Sequence, residues 1–254
     1  MRHVSDTCVA LFSPFIPCGV WEAVYPFEGL LRNRSEVTVD IVHGDTQGQS
    51  LPVLGLAHML GVELLPRIRS WKDLTFCRPG ATAKYRHIDP LFGDPERDVI
   101  DWRLTENHRQ DLMRVVLPIR EGRLSPAALL RRLGNGSKRN RVSQAYRELG
   151  RVMRTIVLLR FLSEPEPRES IQSMTNEVEA FHRFGNWLMF ASDVLQDNDP
   201  DHQEKTIKSN ELPANRLTFH TAVDITSRTR RFGTWHLDME PPENEAAGRL
   251  RRAA

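Results

Sequence analysis

The chain has 254 residues, 40% of them hydrophobic and 27% charged, with a formal net charge of +2. That balance suits a buried core and makes a folded chain the default reading, and no apolar run reaches the roughly 20 residues that a membrane-crossing helix needs. The N-terminus, Met1-Arg2-His3-Val4, carries no signal-peptide core, so the expectation is a cytoplasmic protein with no membrane segment.

In chain order, residues 3–15 mix β-branched and aromatic side chains and read as a strand running into the turn around Pro14 and Pro17. Trp21, Val24, Phe27, Leu30 and Leu31 recur at helical spacing, with Pro26 bending or re-capping that segment. Val37, Val39 and Ile41 alternate with Thr38 and Asp40, the period of a half-buried strand, and the run stops at Gly44-Asp45. A short helix over 53–60 and a strand over 62–68 follow, with Pro66 placing the strand at an edge or a bulge. This alternation predicts an α/β layer with some parallel pairing, in which ligand sites collect at the C-terminal ends of the strands.

From about Ile100 the pattern becomes helical, over 101–119, 125–133, 141–162 and 169–191, as a helical insertion or a helical second layer. In the helix over 141–162, Val142, Ala145, Leu149, Val152, Met153 and Ile156 form the expected buried stripe. Beyond Glu240 the composition reads as a disordered tail.

Cys8, Cys18 and Cys77 are too few and too irregularly spaced for a zinc site or a disulfide framework, and read as reduced thiols. Residues 131–160 hold nine Lys or Arg against the single acid Glu148, a local positive field that attracts nucleic acid. Arg147, Arg151 and Arg154 share one helical face and could follow a phosphate backbone together, after a basic turn containing Lys138, Arg139 and Arg141. A solvated helical face is the plainer reading of the same charges.

No nucleotide-binding glycine loop, nucleophile elbow or metalloprotease helix is present, so the candidates for chemistry are carboxylates. Asp45 ends a predicted strand between two glycines, where a hard oxygen ligand for magnesium could be held, or where it could simply cap the next turn. Glu179 lies beside the apolar stripe Ile171, Met174, Val178, Phe181 and Leu188, on a polar face with Thr175, His182 and Asn186. Glu177 competes with it for the same role, and an ordinary surface Glu is the alternative to both.

Four stretches resemble the catalytic domain of Tn3-family replicative transposases: SPFIPCGVWEAVY at 13–25, HGDTQGQS at 43–50, PRIRSWKDL at 66–74 and RELGRVMRT at 147–155. The resemblance runs from near the N-terminus to about Ile225. It implies a partial ribonuclease-H-like α/β fold with a helical insertion, in which three acids hold two divalent metals, Mg²⁺ or Mn²⁺, for DNA strand cleavage and transfer. Asp45 matches the second catalytic Asp and Glu179 the catalytic Glu. The implied partners are transposon ends, target DNA and further copies of the transposase.

Two departures accompany the resemblance. The family's first catalytic Asp lies upstream of the segment that begins here, and Asp6 does not occupy its position, so the expectation is a catalytically incomplete domain. Residues 222–226 and 231–238 resemble family segments that a further helical stretch normally separates, which an internal deletion around 226–230 would explain. The expected organisation is a catalytic domain over 1–232, with an α/β part at 1–75, a helical insertion at 100–165, the Glu-bearing helix and following helices at 169–225, and a tail at 233–254.

Overall fold

The computed structural model describes residues 3–4, 10–12, 16, 22, 25–31, 39–70, 74–134, 140–188, 199–231 and 252–253. The fold is mixed but helix-rich and divides into two compact units, one of residues 21–34 and 40–172, the other of 1–20, 35–39 and 173–254.

In the unit of 1–20, 35–39 and 173–254, two short strands, β1 (His3–Val4) and β2 (Ala10–Phe12), pair antiparallel. The single long strand expected over 3–15 is therefore, among the described residues, a hairpin-like pair. Its core joins Val4 to Phe181, Leu188 and Ala214, with Val178 and Phe184 packed against them.

In the other unit, β3 (Ile41–Gly44) and β4 (Glu63–Pro66) pair parallel, with Ile41 opposite Glu63 and Gly44 opposite Pro66. The parallel pairing agrees with the strand–helix–strand spacing. Of the predicted alternation over 37–41, Val39 and Ile41 are half-buried and Asp40 is exposed. The strand begins only at Ile41, and the adjacent Val42 and His43 are both buried, so both faces are covered, as is usual for parallel strands. Residues 37 and 38 lie outside the described residues.

Helix α1 (Pro26–Leu31) buries Phe27, and its Glu28 accepts a hydrogen bond from the Ser125 hydroxyl at 2.8 Å. Helix α2 (Leu51–Leu60) fills the connection between β3 and β4. Pro52 at its start and Gly61, left-handed at φ 76°, at its end delimit it as such residues should. Residues 52–57 and Leu60 are all buried, the pattern of a central helix rather than a surface one.

The helix expected over 101–119 is two helices, α3 (Trp102–Asn107) and α4 (Arg109–Arg120), broken where His108 leaves helical geometry at φ −103° and ψ 11°. Helix α5 (Pro126–Gly134) is opened by Ser125, whose hydroxyl accepts from the Ala128 N–H at 3.2 Å. Helix α6 (Arg141–Ser163) is opened by Asn140 in the same way, through the Ser143 N–H at 3.1 Å. Helices α7 (Pro165–Trp187) and α8 (Pro200–Arg231) follow.

The expected stripe on α6 is displaced. Ser143, Ala145, Tyr146, Gly150, Thr155, Val157 and Leu158 are buried, whereas Ile156 is 44% exposed. The face that packs is chosen by small residues: a Cβ on Gly150 would stand 2.0 Å from the Leu51 carbonyl oxygen, so only glycine lets α2 come this close. On α7 the expected stripe is observed, with Ile171, Met174, Phe181 and Leu188 buried and Val178 partly so. The predicted tail at 233–254 falls, except for 252 and 253, outside the described residues.

Candidate catalytic carboxylates and nucleic-acid interface

Asp45 stands where β3 ends. Its backbone is extended, and its Oδ1 accepts from the Gln47 N–H at 2.9 Å, capping a short 3₁₀ turn at Thr46–Gln49. That turn is fastened to β4: Arg67 N–H donates to the Gly44 carbonyl at 2.8 Å, Gln49 Nε2 donates to the Arg67 carbonyl at 2.9 Å, and Gly48 is buried against Pro66. Any larger residue at 48 would crowd Pro66, since its Cβ would lie 3.1 Å from the proline Cβ. The carboxylate is thus exposed on a rigid edge. The cap that the sequence allows is present, and a carboxylate with two oxygens retains acceptor capacity beyond it.

One residue before the Gly-Asp step, His43 is 7% exposed and its Nε2 lies 3.1 Å from the Ser170 hydroxyl on α7. Sequence reading passed over His43 because a lone histidine in an apolar strand carries no pattern. Its link to Ser170 spans 127 positions and exists only in three dimensions.

Glu179 is exposed on α7, while Glu177 is half-buried, with one carboxylate oxygen shielded from solvent and the other 3.4 Å from the Ser173 hydroxyl. Asp45 belongs to the unit of 21–34 and 40–172, and Glu179 to that of 1–20, 35–39 and 173–254. A magnesium-like cation takes several hard oxygen donors. Asp45 is such a donor in kind, but among the described residues no three His, Cys, Asp or Glu side chains gather to hold a metal ion.

The basic residues of α6 have three different environments. Arg141 and Arg147 are exposed. Arg151 is drawn into the fold: Nη1 donates to Glu148 Oε1 at 3.0 Å and to the Val99 carbonyl at 3.2 Å, Nε reaches Cys77 Sγ at 3.2 Å, and Asp98 lies 3.7 Å from Nη2. Burial opposes that charge, yet the Cys77 sulfur and the Glu148 carboxylate hold its guanidinium above the ordinary value. Arg154 is partly buried with its Nε shielded, and burial, reinforced by the neighbouring Arg151 cation, lowers its guanidinium below the ordinary value. The three do not form one exposed row. Lys138 and Arg139 lie outside the described residues. No helix among the described residues is long and apolar enough to cross a membrane.

The transposase of transposon Tn1546 from Enterococcus faecium is 26% identical over 242 residues, 94% of this chain and 24% of that protein. The transposases of Tn3926 from Escherichia coli and Tn501 from Pseudomonas aeruginosa are each 28% identical over 188 residues, 74% of this chain and 19% of theirs. The chain thus spans about a quarter or less of the length of these relatives. No solved structure matches it. The family model described as the Tn3 transposase DDE domain matches residues 1–241, and the chain belongs to that family.

Proposed function

We propose that this chain is the part of a DNA transposase that brings Asp45 and Glu179 to the cleavage and strand-transfer site, in a ribonuclease-H-like setting. Family membership implies a divalent metal cation, and Mg²⁺ or Mn²⁺ suits carboxylate donors. The observation that carries the reading is Asp45, an exposed carboxylate held at the C-terminal end of a parallel strand by a turn bonded to its neighbour. Glu179, exposed on its own helix, is the second donor. What these residues do is bind and orient.

DNA is held by the basic segment Lys138, Arg139, Arg141, Arg147, Arg151 and Arg154. Arg141 and Arg147 make direct phosphate contacts, while Arg151, paired with Glu148, and the partly buried Arg154 support that face from within the fold. A second reading is a non-catalytic DNA-binding or partner-binding module derived from a transposase, supported by the exposed Arg141 and Arg147 of α6.

A gel assay of the chain with labelled transposon-end DNA and Mg²⁺ or Mn²⁺, beside Asp45→Asn and Glu179→Gln, tests both. The expected result is binding without nicking. Metal-dependent nicking lost in both variants would confirm the carboxylates and refute incompleteness. Nicking that survives both substitutions removes their assigned role, and the absence of binding removes the DNA reading.

A further inference from the structure

Residues 74–101 lead into α3 with almost no regular structure, yet they are tightly organised. Two isolated parallel bridges, Phe76 with Phe92 and Arg78 with Val99, draw the ends of the connection together. Arg78, 5% exposed, lies at the centre. Its Nε donates to the Gly93 carbonyl at 3.0 Å, its Nη1 to the Ala83 carbonyl at 2.8 Å and to Asp89 Oδ1 at 2.7 Å, and its Nη2 to Asp89 Oδ2 at 3.2 Å. The Tyr85 ring stacks on Phe92 with centroids 4.5 Å apart, and the Arg78 guanidinium lies over the same Phe92. Trp102 Nε1 donates to the Pro79 carbonyl at 2.7 Å. Long connections packed by their own side chains are usually functional.

This connection displays Lys84, Arg86 and His87, all exposed, beside Ile88 and Leu91, which are 39% and 42% exposed. The nearby acids are bonded within the connection, with Asp94 remaining exposed. Asp89 is taken by Arg78 and the Tyr85 N–H, Asp94 accepts from the Glu96 N–H at 2.7 Å, and Asp98 accepts from the Asp94 N–H at 3.1 Å and faces Arg151. Glu96 is exposed, but so is its neighbour Arg97. Between residues 79 and 91 the cations face solvent and the one carboxylate is neutralised.

We propose that the turn at 79–91 is a DNA-contact surface in which Lys84 and Arg86 neutralise backbone phosphates. It rests on the DNA reading above and adds an interface separate from α6. Charge decides the partner: a polyanion compensates two closely spaced permanent cations, and a pre-ordered turn loses little conformational freedom on binding. Ile88 and Leu91 supply apolar area beside the phosphate contacts, against which a sugar or an unstacked base packs.

The test is fluorescence anisotropy with a labelled duplex unrelated to transposon ends, read across a salt series. It compares the chain with the double variant Lys84→Ala/Arg86→Ala and with Arg141→Ala/Arg147→Ala. The 84/86 variant is expected to bind on the order of tenfold more weakly near physiological salt, with the slope of log affinity against log salt reduced by roughly two. Its melting temperature should be unchanged, because both side chains are exposed. Unchanged affinity and slope in this variant, while the parent chain binds and the 141/147 variant does not, would confine the interface to α6 and overturn the proposal. A variant that alters sedimentation but not DNA binding would assign the turn to contacts between copies and overturn it too. If the parent chain fails to bind DNA, the broader DNA reading falls along with this one.

Discussion

Gly55 of α2 and Gly150 of α6 meet backbone to backbone. A Cβ on Gly55 would lie 3.3 Å from the Gly150 nitrogen and 2.7 Å from the Tyr146 carbonyl oxygen, and a Cβ on Gly150 would enter the Leu51 peptide. Because α2 also carries the chain from the Asp45 turn to β4, this crossing positions the candidate carboxylate as well as the core. Gly150→Ala should therefore cost about 1–3 kcal/mol or more, since backbone rather than a movable side chain must yield. Denaturant unfolding of the variant, with helix content followed by circular dichroism, reads the loss directly.

Arg147 and Arg151 sit one helical turn apart and should respond oppositely to truncation. Arg151→Ala leaves Glu148, 15% exposed, without its guanidinium and should destabilise the fold by roughly 1–3 kcal/mol. Arg147→Ala should leave stability within about 0.5 kcal/mol and weaken DNA binding instead. Thermal melts and anisotropy titrations on the same two preparations separate the effects.

Leu158 is fully buried against Phe76 and Phe92, so it anchors the irregular 74–101 connection to α6. Leu158→Ala should cost about 2–5 kcal/mol through lost burial and a residual cavity. Amide exchange should accelerate over residues 76–93 more than over α4, and uniform acceleration would refute the anchoring role.

The Arg78 hydrogen bond, supported by the Tyr85 N–H, holds the Asp89 carboxyl below its ordinary value. A depressed carboxylate stabilises the fold fully above its unfolded value, near 3.8, and this contribution fades as pH falls toward the lower folded value. Asp89→Asn removes that dependence. The variant should be less stable than the parent at neutral pH, with the gap narrowing below about pH 4. Melting curves from pH 7 down to acid check the sign, and a gap that widens in acid would contradict it.

Local pattern carried much of this molecule. The α7 stripe was legible because large apolar residues recur at the helical period, and the end of β3 because Gly44-Asp45 breaks an apolar run. The family resemblance pointed to Asp45 and Glu179 before any geometry was known. Three features were decided only by tertiary structure. The packed face of α6 is set by Gly150, Ala145 and Ser143, whose contribution is the absence of bulk, and hydropathy is blind to that. The fate of Arg151 depends on Val99 and Cys77, 52 and 74 positions away, so a charge that looks solvated in sequence becomes a structural tie. Arg78 likewise carries no periodic signal, because the carbonyls and the carboxylate that surround it come from a connection without regular structure, and only folding brings them within hydrogen-bond reach.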